Sequence, residues 1–264
     1  MFSDGGTVMG ALPSKGFTLI ELMIALALGL LITAATIMLF LTSQQHYTLQ
    51  KANSEIESNA SFGLQYLEQK IRLINASEGI VLTGDHPSQN QSSNSELTEN
   101  SDQLTIQYTA NRSFLNSKAA LFDCQGQAII DNTTVIERYY VTSNQNLACR
   151  AVRSTDTTTL GNDGSVLIPN VSYFHALLVV RNERGRFEHV SLGNAEQNTI
   201  VGLQLGLVFR SRQPVQGQSY INDQNPINIL DKTLQLKDTI RQSNQRFLRQ
   251  TVIQTIALRN GVGN

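Results

Sequence analysis

Residues 16–41 read GFTLIELMIALALGLLITAATIMLFL, and this stretch decides how the rest of the chain is interpreted. Its last 20 residues, Leu22 to Leu41, contain no charged side chain. As an α-helix rising about 1.5 Å per residue, they cover roughly 30 Å, the thickness of the hydrocarbon core of a bilayer. The sequence therefore predicts a membrane-spanning helix near the N-terminus.

Two other interpretations of this run are weaker. A buried core helix is disfavoured because the run is apolar around its whole circumference, in an otherwise polar chain. A cleaved secretory signal has an apolar region of about 7–15 residues followed by a small-residue cleavage site. Here the run is longer and is followed by Thr42 to His46, TSQQH, which does not match such a site.

Composition excludes several classes of protein. The 264 residues carry 20 Lys and Arg against 21 Asp and Glu, so the chain has no electrostatic footprint for nucleic acid. A hydrophobic content of 41% argues against both a disordered chain and a polytopic membrane protein. Tryptophan is absent and Ser, Thr, Asn and Gln are abundant, which favours an exported surface protein over a cytosolic enzyme.

Glu21 is the one carboxylate at the edge of the apolar run, four residues beyond Phe17. An ionised group placed there costs a few kcal/mol unless it reaches the headgroups or meets a cation. Two interpretations therefore remain open. Either Glu21 lies just outside the hydrocarbon, or it has a specific positive partner.

The segment Gly16 to Glu21, GFTLIE, resembles the class III signal of type IV pilins and type II secretion pseudopilins. The resemblance implies that a prepilin peptidase cuts after Gly16, removing a leader of residues 1–16, and that the new N-terminal Phe17 is N-methylated. It also implies that the Phe17 amine of one subunit meets Glu21 of its neighbour. Two costly charges then become one pair that sets axial register more than it adds stability.

The helix is predicted to continue to about Ala76, because no proline interrupts residues 17–76. In its second half, apolar residues recur at steps of three and four and form one stripe, with Glu68 and Arg72 as a favourable pair nearby. We expect this stripe to pack on a sheet, with a docking face for a partner as the alternative. Gly29 and Gly63 are potential weak points of the helix. The stripe comprises Ile56, Ala60, Leu64, Leu67, Ile71 and Ile74.

Residues 77–264 are predicted to form one antiparallel, β-rich head, which with the helix gives an α+β fold. A Ser/Asn/Gln-rich loop spans about Thr83 to Gln103. Turns are expected at residues 162–164 and 183–185. Period-two alternation and β-rich composition predict strands at residues 104–108, 135–141, 173–180, 200–210 and 251–258.

Parts of the head and helix resemble PilW-type minor pilins: Glu57 to Arg72, Asp123 to Gly126, and Thr255 to Asn260. The resemblance implies the type IV pilin fold and a structural, non-enzymatic subunit without cofactor. It implies insertion in the inner membrane with a periplasmic head, then a place in the pilus at the cell surface. The implied partners are prepilin peptidase, other minor pilins, the major pilin and a large tip adhesin, in a tip complex that primes assembly.

Cys124 and Cys149 are the only cysteines. In an exported head a disulfide between them is the default expectation. It would stabilise the head by roughly 3–4 kcal/mol in the chain-entropy model. A zinc site is disfavoured because no C-x-x-C pair or histidine cluster accompanies them.

The sequence predicts neither a catalytic constellation nor a metal site. The four histidines are scattered: His86 lies in a predicted turn, and His175 is expected to be a core or sheet-face residue. Carboxylate pairs are expected only as ordinary surface neighbours. Residues 202–206, GLQLG, lack the third glycine of a phosphate loop, and residues 222–225, NDQN, lack the glycine and glutamate of a calcium loop.

Two alternatives to a minor pilin follow. A J-type pseudopilin of a type II secretion system would share the signal and the helix. A membrane-tethered periplasmic enzyme or binding domain would instead show a deep pocket with convergent titratable groups.

Overall fold

The computed structural model describes residues 16–73, 96–110, 121–153, 163–192, 199–215, 224–243 and 246–258. The chain divides into two units, Met1–Tyr47 and Thr48–Asn264. Several features of the sequence interpretation lie outside the described residues: the leader before Gly16, Ile74, most of the predicted loop including His86, the first residues of the expected turn at 162–164 and of the NDQN segment, and residues 259–260.

A long N-terminal helix and an antiparallel β-sheet head confirm the predicted α+β class. The elements are α1 (Leu19–Leu73), β1 (Gln103–Thr109), β2 (Leu121–Phe122), β3 (Ala128–Ile129), β4 (Thr134–Val141), β5 (Leu147–Arg153), β6 (Ser165–Ile168), β7 (Val171–Arg181), β8 (Phe187–Ser191), β9 (Thr199–Arg210), β10 (Ile227–Ile229), β11 (Lys232–Leu234), α2 (Asp238–Arg241) and β12 (Arg249–Ala257).

Two four-stranded sheets carry the head. One has the strand order β1-β4-β5-β6 and the other β12-β9-β7-β8, while β2-β3 and β10-β11 form two-stranded ribbons. All pairings between these strands are antiparallel. The long strands β7 and β9 are central in the second sheet, which explains why they are the most apolar segments of the head.

The second half of α1 packs its predicted stripe into the main core. Ile56, Leu67 and Ile71 are almost fully buried and share one apolar cluster with inward side chains of both four-stranded sheets. Burial of each such side chain contributes about 1.5–3 kcal/mol. The stripe is therefore core packing, as the sequence favoured over a docking face.

The alternation of β1 is as predicted, with Leu104, Ile106 and Tyr108 buried and their neighbours half-buried. Strand β7 differs, because its first eight residues are all buried. Continuous burial means that both faces of the sheet are covered at this strand. Phe174 faces the main cluster, whereas Tyr173 faces a second cluster beneath the β10-β11 ribbon.

The predicted turn at residues 183–185 joins β7 to β8. The amide of Asn182 donates to the carbonyl of Arg186 at 3.0 Å, and the amide of Gly185 donates to the carbonyl of Asn182 at 2.9 Å. Gly185 has φ of 74°, a left-handed conformation that glycine adopts without steric cost.

Two glycines allow close approach of other elements. A Cβ atom at Gly63 of α1 would lie 2.2 Å from Cδ1 of Ile168 in β6. A Cβ at Gly206 of β9 would lie 2.6 Å from Cγ1 of Ile229 in β10. Gly63, which the sequence marks as a potential weak point of the helix, is where the helix meets β6.

The contact at Gly63 yields a stability prediction. In an exposed helix Gly→Ala adds about 1 kcal/mol of stability, whereas overpacking a core costs about 1–3 kcal/mol. We expect Gly63→Ala to lower the free energy of unfolding, measured by urea denaturation of the full chain in detergent micelles. In an Ile168→Ala background, which removes the clashing atoms, the same change should be stabilising. Equal effects in both backgrounds would show that Ile168 does not limit this position.

Candidate functional site

The start of α1 is built around Thr18 and Glu21. The amide of Glu21 donates to Oγ1 of Thr18 at 3.3 Å, and the amide of Thr18 makes a long contact of 3.5 Å with Oε2 of Glu21. This reciprocal pair is a capping box, in which two amides at the helix start find acceptors. The Glu21 carboxylate thus lies against the amide of the residue that directly follows Phe17.

The helix surface from Phe17 to Leu41 is apolar and exposed in the isolated chain. Phe17 itself is 86% exposed. By length and composition, this helix is long and apolar enough to cross a membrane. Sixteen large apolar side chains form this surface: Phe17, Leu19, Ile20, Leu22, Met23, Ile24, Leu26, Leu28, Leu30, Leu31, Ile32, Ile37, Met38, Leu39, Phe40 and Leu41.

Three threonines in and next to this segment satisfy their own hydroxyl groups. Thr33, Thr36 and Thr42 each donate to the backbone carbonyl four residues earlier, at 2.8–2.9 Å. A hydroxyl bonded in this way leaves no donor facing an apolar environment, where an unpaired polar group costs several kcal/mol. The segment is therefore compatible with lipid or with a bundle of similar helices.

In the head, Cys124 and Cys149 form the disulfide that the sequence predicted, with their Cα atoms 6.1 Å apart. Cys149 lies on β5 and Cys124 follows β2, so the bond joins the β2-β3 ribbon to the first large sheet. Both residues are buried.

Glu137 is a fully buried carboxylate beside this disulfide, and sequence reasoning did not find it. It accepts hydrogen bonds from the hydroxyl of Tyr139 at 2.5 Å, the hydroxyl of Tyr108 at 2.9 Å and the amide of Cys124 at 2.8 Å. Burial and then the charge of Glu137 raise the pKa of Tyr139 well above its ordinary value. The phenol therefore remains a donor to the carboxylate across physiological pH.

Lys70 of α1 supplies the counter-charge for Glu137. Its Nζ lies 3.6 Å from the carboxylate and donates to the carbonyl of Phe122 at 2.5 Å. This ion pair is buried and joins the helix to β4.

Among the described residues, one group has the proximity of metal ligands, and it consists of Glu137 with the two cysteines. Its sulfurs are bonded to each other, so neither is a thiolate, the form in which cysteine binds zinc.

Glu96 is a second buried carboxylate with two cationic partners. Arg249 donates to it at 2.9 Å, and Arg210 also donates to it. Burial alone raises the pKa of Glu96, but Arg249 and Arg210 outweigh it and hold the pKa below its ordinary value. Both guanidinium groups also lie over the ring of Phe247, with Arg210 at 4.4 Å and Arg249 at 5.9 Å from the ring centroid.

The described histidines do not form a catalytic group. His175 is buried on β7 as predicted, but both of its ring nitrogens contact carboxylates, Nδ1 at Asp102 and Nε2 at Asp231. No ring nitrogen is left for a nucleophile or a substrate. His46 and His189 are exposed. The GLQLG segment lies within β9, as expected for a strand.

The described part of the head contains recesses beside the second half of α1. One, of about 410 Å³, lies between α1 and β12 and includes Glu57 and Glu68. The other, of about 470 Å³, includes Lys70 and Asp123. Lys70 is paired with Glu137, and Asp123 with Arg153 at 3.1 Å. In the second recess, both of these titratable groups are therefore held in ion pairs within the head.

Comparison with known proteins identifies the N-terminus. Residues 13–37 match the family model described as the prokaryotic N-terminal methylation motif. No curated protein matches the chain significantly. Among solved structures, the chain is similar to the type IV-like pilin TTHA1219 from Thermus thermophilus, at 15% identity and a TM-score of 0.46, covering 77% of this chain and 95% of that one.

Glu137 provides a second stability prediction. Glu137→Gln removes the counter-charge of Lys70 and replaces one acceptor with an amide donor that faces other donors. Breaking a buried pair in this way costs about 3–5 kcal/mol, and we expect a loss of that size in urea denaturation followed by tyrosine fluorescence. Glu183→Gln, on the exposed β7-β8 turn, is the matched control. A loss below about 0.5 kcal/mol, the range of surface changes, would show that the Glu137 network adds nothing.

Proposed function

We propose that this chain is a PilW-type minor pilin, a structural subunit of a type IV pilus. Its parts are a leader of residues 1–16, a helix over residues 17–76 and a head over residues 77–264. In this proposal it is held in the inner membrane by residues 17–41 with its head in the periplasm. It then enters a tip complex with other minor pilins, the major pilin and a large tip adhesin, and that complex primes pilus assembly.

One observation carries the proposal. The methylation motif at residues 13–37 coincides with a helix that exposes a continuous apolar surface and begins with a single carboxylate. In a chain anchored only in lipid, this carboxylate would serve the capping box alone. A subunit that leaves lipid for a helical filament needs a polar contact that fixes its height among its neighbours.

The proposed processing residues are Gly16 and Phe17. Prepilin peptidase would cleave between them, and Phe17 would then be N-methylated. Cleavage would generate a cationic amine on Phe17, four residues before Glu21 and next to Thr18, the other member of the capping box.

The capping box gives Glu21 a specific role before assembly. In the isolated chain its carboxylate makes only a long contact, 3.5 Å, with the amide of Thr18 just before the helix. A charged amine from a neighbouring subunit is a stronger partner, because the attraction between opposite charges adds to the hydrogen bond. We propose that assembly exchanges the first contact for the second.

The rival roles differ in what they require. A J-type pseudopilin would use the same N-terminal features in a secretion pseudopilus, so the filament that contains the mature chain separates the two. A tethered enzyme or binding domain requires convergent free groups, and the described head instead pairs Lys70, Asp123 and Glu96 internally.

Processing is testable by mass spectrometry of filaments sheared from cells. We expect the mature chain to begin at N-methylated Phe17 and to co-purify with type IV pilus subunits. In cells that lack prepilin peptidase, the chain should keep its leader and remain in the membrane fraction. An intact Met1 start in mature filaments would contradict the proposal, and recovery with secretion-system subunits alone would favour the pseudopilin.

The role of Glu21 is testable with a substitution that preserves the capping box. Glutamine also serves at this position of a capping box, so Glu21→Gln removes the charge while keeping the helix start. We expect the variant to be cleaved and to fold normally, but to be recovered in sheared filaments at least about tenfold less, as expected for loss of about 1.4 kcal/mol per contact.

The matched control is Glu57→Gln, an exposed glutamate on the same helix outside the apolar segment. It should be incorporated like the unmodified chain. If Glu21→Gln were incorporated equally well, the charge pair would be excluded and the capping role alone would remain.

A further inference from the structure

His175 is a buried residue that contacts a cluster of partly exposed charged groups, which the proposed function does not use. It is on β7, directly opposite Gly206 of β9. Its Nδ1 lies 2.5 Å from Oδ2 of Asp102, and its Nε2 lies 2.6 Å from Oδ1 of Asp231. The imidazole therefore bridges two carboxylates from segments far apart in sequence.

The two contacts require a proton that a neutral ring does not have. A neutral imidazole carries one N–H, so one of its nitrogens would turn a lone pair toward a carboxylate at hydrogen-bond distance. Only the imidazolium donates to both carboxylates. The observed bridge is the geometry of protonated His175.

The two carboxylates are held differently. Oδ2 of Asp102 also accepts from the amide of Ala176 at 3.2 Å, which fixes it beside β7. The side chain of Asp231 is 59% exposed and lies in the turn between β10 and β11. Asp231 is therefore the partner that can turn into water when the bridge loses its proton.

The β10-β11 ribbon lies over the outer face of the second sheet at this point. Ile229 and Leu230 sit above Gly206, where a side chain would collide with them. Leu230 has φ of 51°, so the turn that presents Asp231 is tightly curved. The apolar residues beneath the ribbon are Leu97, Tyr173, Val208, Ile229, Leu234 and Leu236.

We propose that His175 is a pH-operated clamp on the β10-β11 ribbon: the imidazolium fastens Asp231 to the sheet, and deprotonation releases it. This inference concerns the head alone and does not depend on the proposed filament role.

The other charged groups around His175 define how far the ribbon is released. Nζ of Lys232 lies 3.5 Å from Glu99 and 3.9 Å from Asp102, and it donates to the hydroxyl of Tyr173 at 3.3 Å. Burial alone lowers the pKa of Lys232, but Tyr173 and the two carboxylates outweigh it and raise the pKa. Lys232 therefore remains charged when His175 does not, and the release is confined to the turn.

The sign of the pH dependence follows from the same contacts. Burial alone lowers the pKa of His175, and Lys232 lowers it further, but the hydrogen bonds and charges of Asp102 and Asp231 raise it above its ordinary value. The clamp is therefore fully formed below the ordinary histidine pKa of about 6.5. It is lost as the pH rises through the higher, folded-state value.

The test measures opening of the ribbon by hydrogen exchange and mass spectrometry, using the full chain in detergent micelles between pH 5 and 9. Exchange is corrected for its intrinsic pH dependence. We expect the opening constant of peptides covering residues 224–236 to rise with pH. The total rise should be about tenfold for each unit by which the pKa of His175 in the closed ribbon exceeds its pKa in the open ribbon. Peptides covering β4 and β5 should show no such rise.

Two variants identify the titrating group. Asp231→Asn can donate to Nε2 of a neutral ring, so the bridge survives deprotonation and the rise should largely disappear. His175→Gln should abolish it. The control Glu183→Gln removes a carboxylate from the exposed turn at the other end of β7, and should leave the rise unchanged.

A direct titration keeps the proposal decidable if a variant does not fold. The ring signals of His175 in the unmodified chain, followed by nuclear magnetic resonance, should titrate above the ordinary histidine pKa of about 6.5. A His175 midpoint at or below that value would overturn the proposal. So would a ribbon whose opening is independent of pH, or an equal rise in Asp231→Asn.

Discussion

A helix that is apolar on every side must find an apolar environment, and this requirement governs the rest of the molecule. Burying one large apolar side chain is worth about 1.5–3 kcal/mol, and the segment from Phe17 to Leu41 exposes sixteen of them. Their sum exceeds the net stability of an ordinary domain, about 5–15 kcal/mol. Lipid and a bundle of similar helices can both bury this apolar surface. The head therefore does not have to rearrange to cover it.

Buried ion pairs organise the head. Among the head residues that the structure describes, each buried carboxylate has a cation beside it: Glu137 has Lys70, Glu96 has Arg210 and Arg249, and Asp123 has Arg153. Such pairs add little net stability, because removing the charges from water offsets most of their attraction. They do penalise any arrangement that separates them. In this head they connect α1 to β4, the segment before β1 to β9 and β12, and the β2-β3 ribbon to β5.

The features that the sequence predicted are mostly those that produce a local pattern of apolar and turn residues. The α1 stripe follows from steps of three and four, β1 from strict alternation, and the β7-β8 turn from Gly185. The disulfide followed from cysteine count and expected export. Strands β10 and β11, with three residues each, carry no readable period. Strand β5, LACRAVR, mixes small and charged residues that obscure its alternation.

The polar clusters were beyond sequence reasoning for a physical reason. Glu96 meets Arg249 across 153 positions, and His175 meets Asp102 across 73. The residue type does not distinguish a buried carboxylate from an exposed one, and only the folded chain brings its distant partner close to it. For Glu137 a weak signal existed, since its neighbours Val135, Tyr139 and Val141 all belong to the inward-facing set of β4. A glutamate at an inward-facing position of a strand is either buried or interrupts the apolar face of that strand.

The residues directly before α1 have a conformation that matters for proteolysis. Gly16, Phe17 and Thr18 precede the first turn of α1, which begins at Leu19. A peptide bond between the first two can be attacked without unwinding any helix, because none of its backbone groups belongs to the intrahelical ladder. In the proposed maturation, the protease would therefore cut a short non-helical segment, and the apolar helix that follows it would stay folded during cleavage.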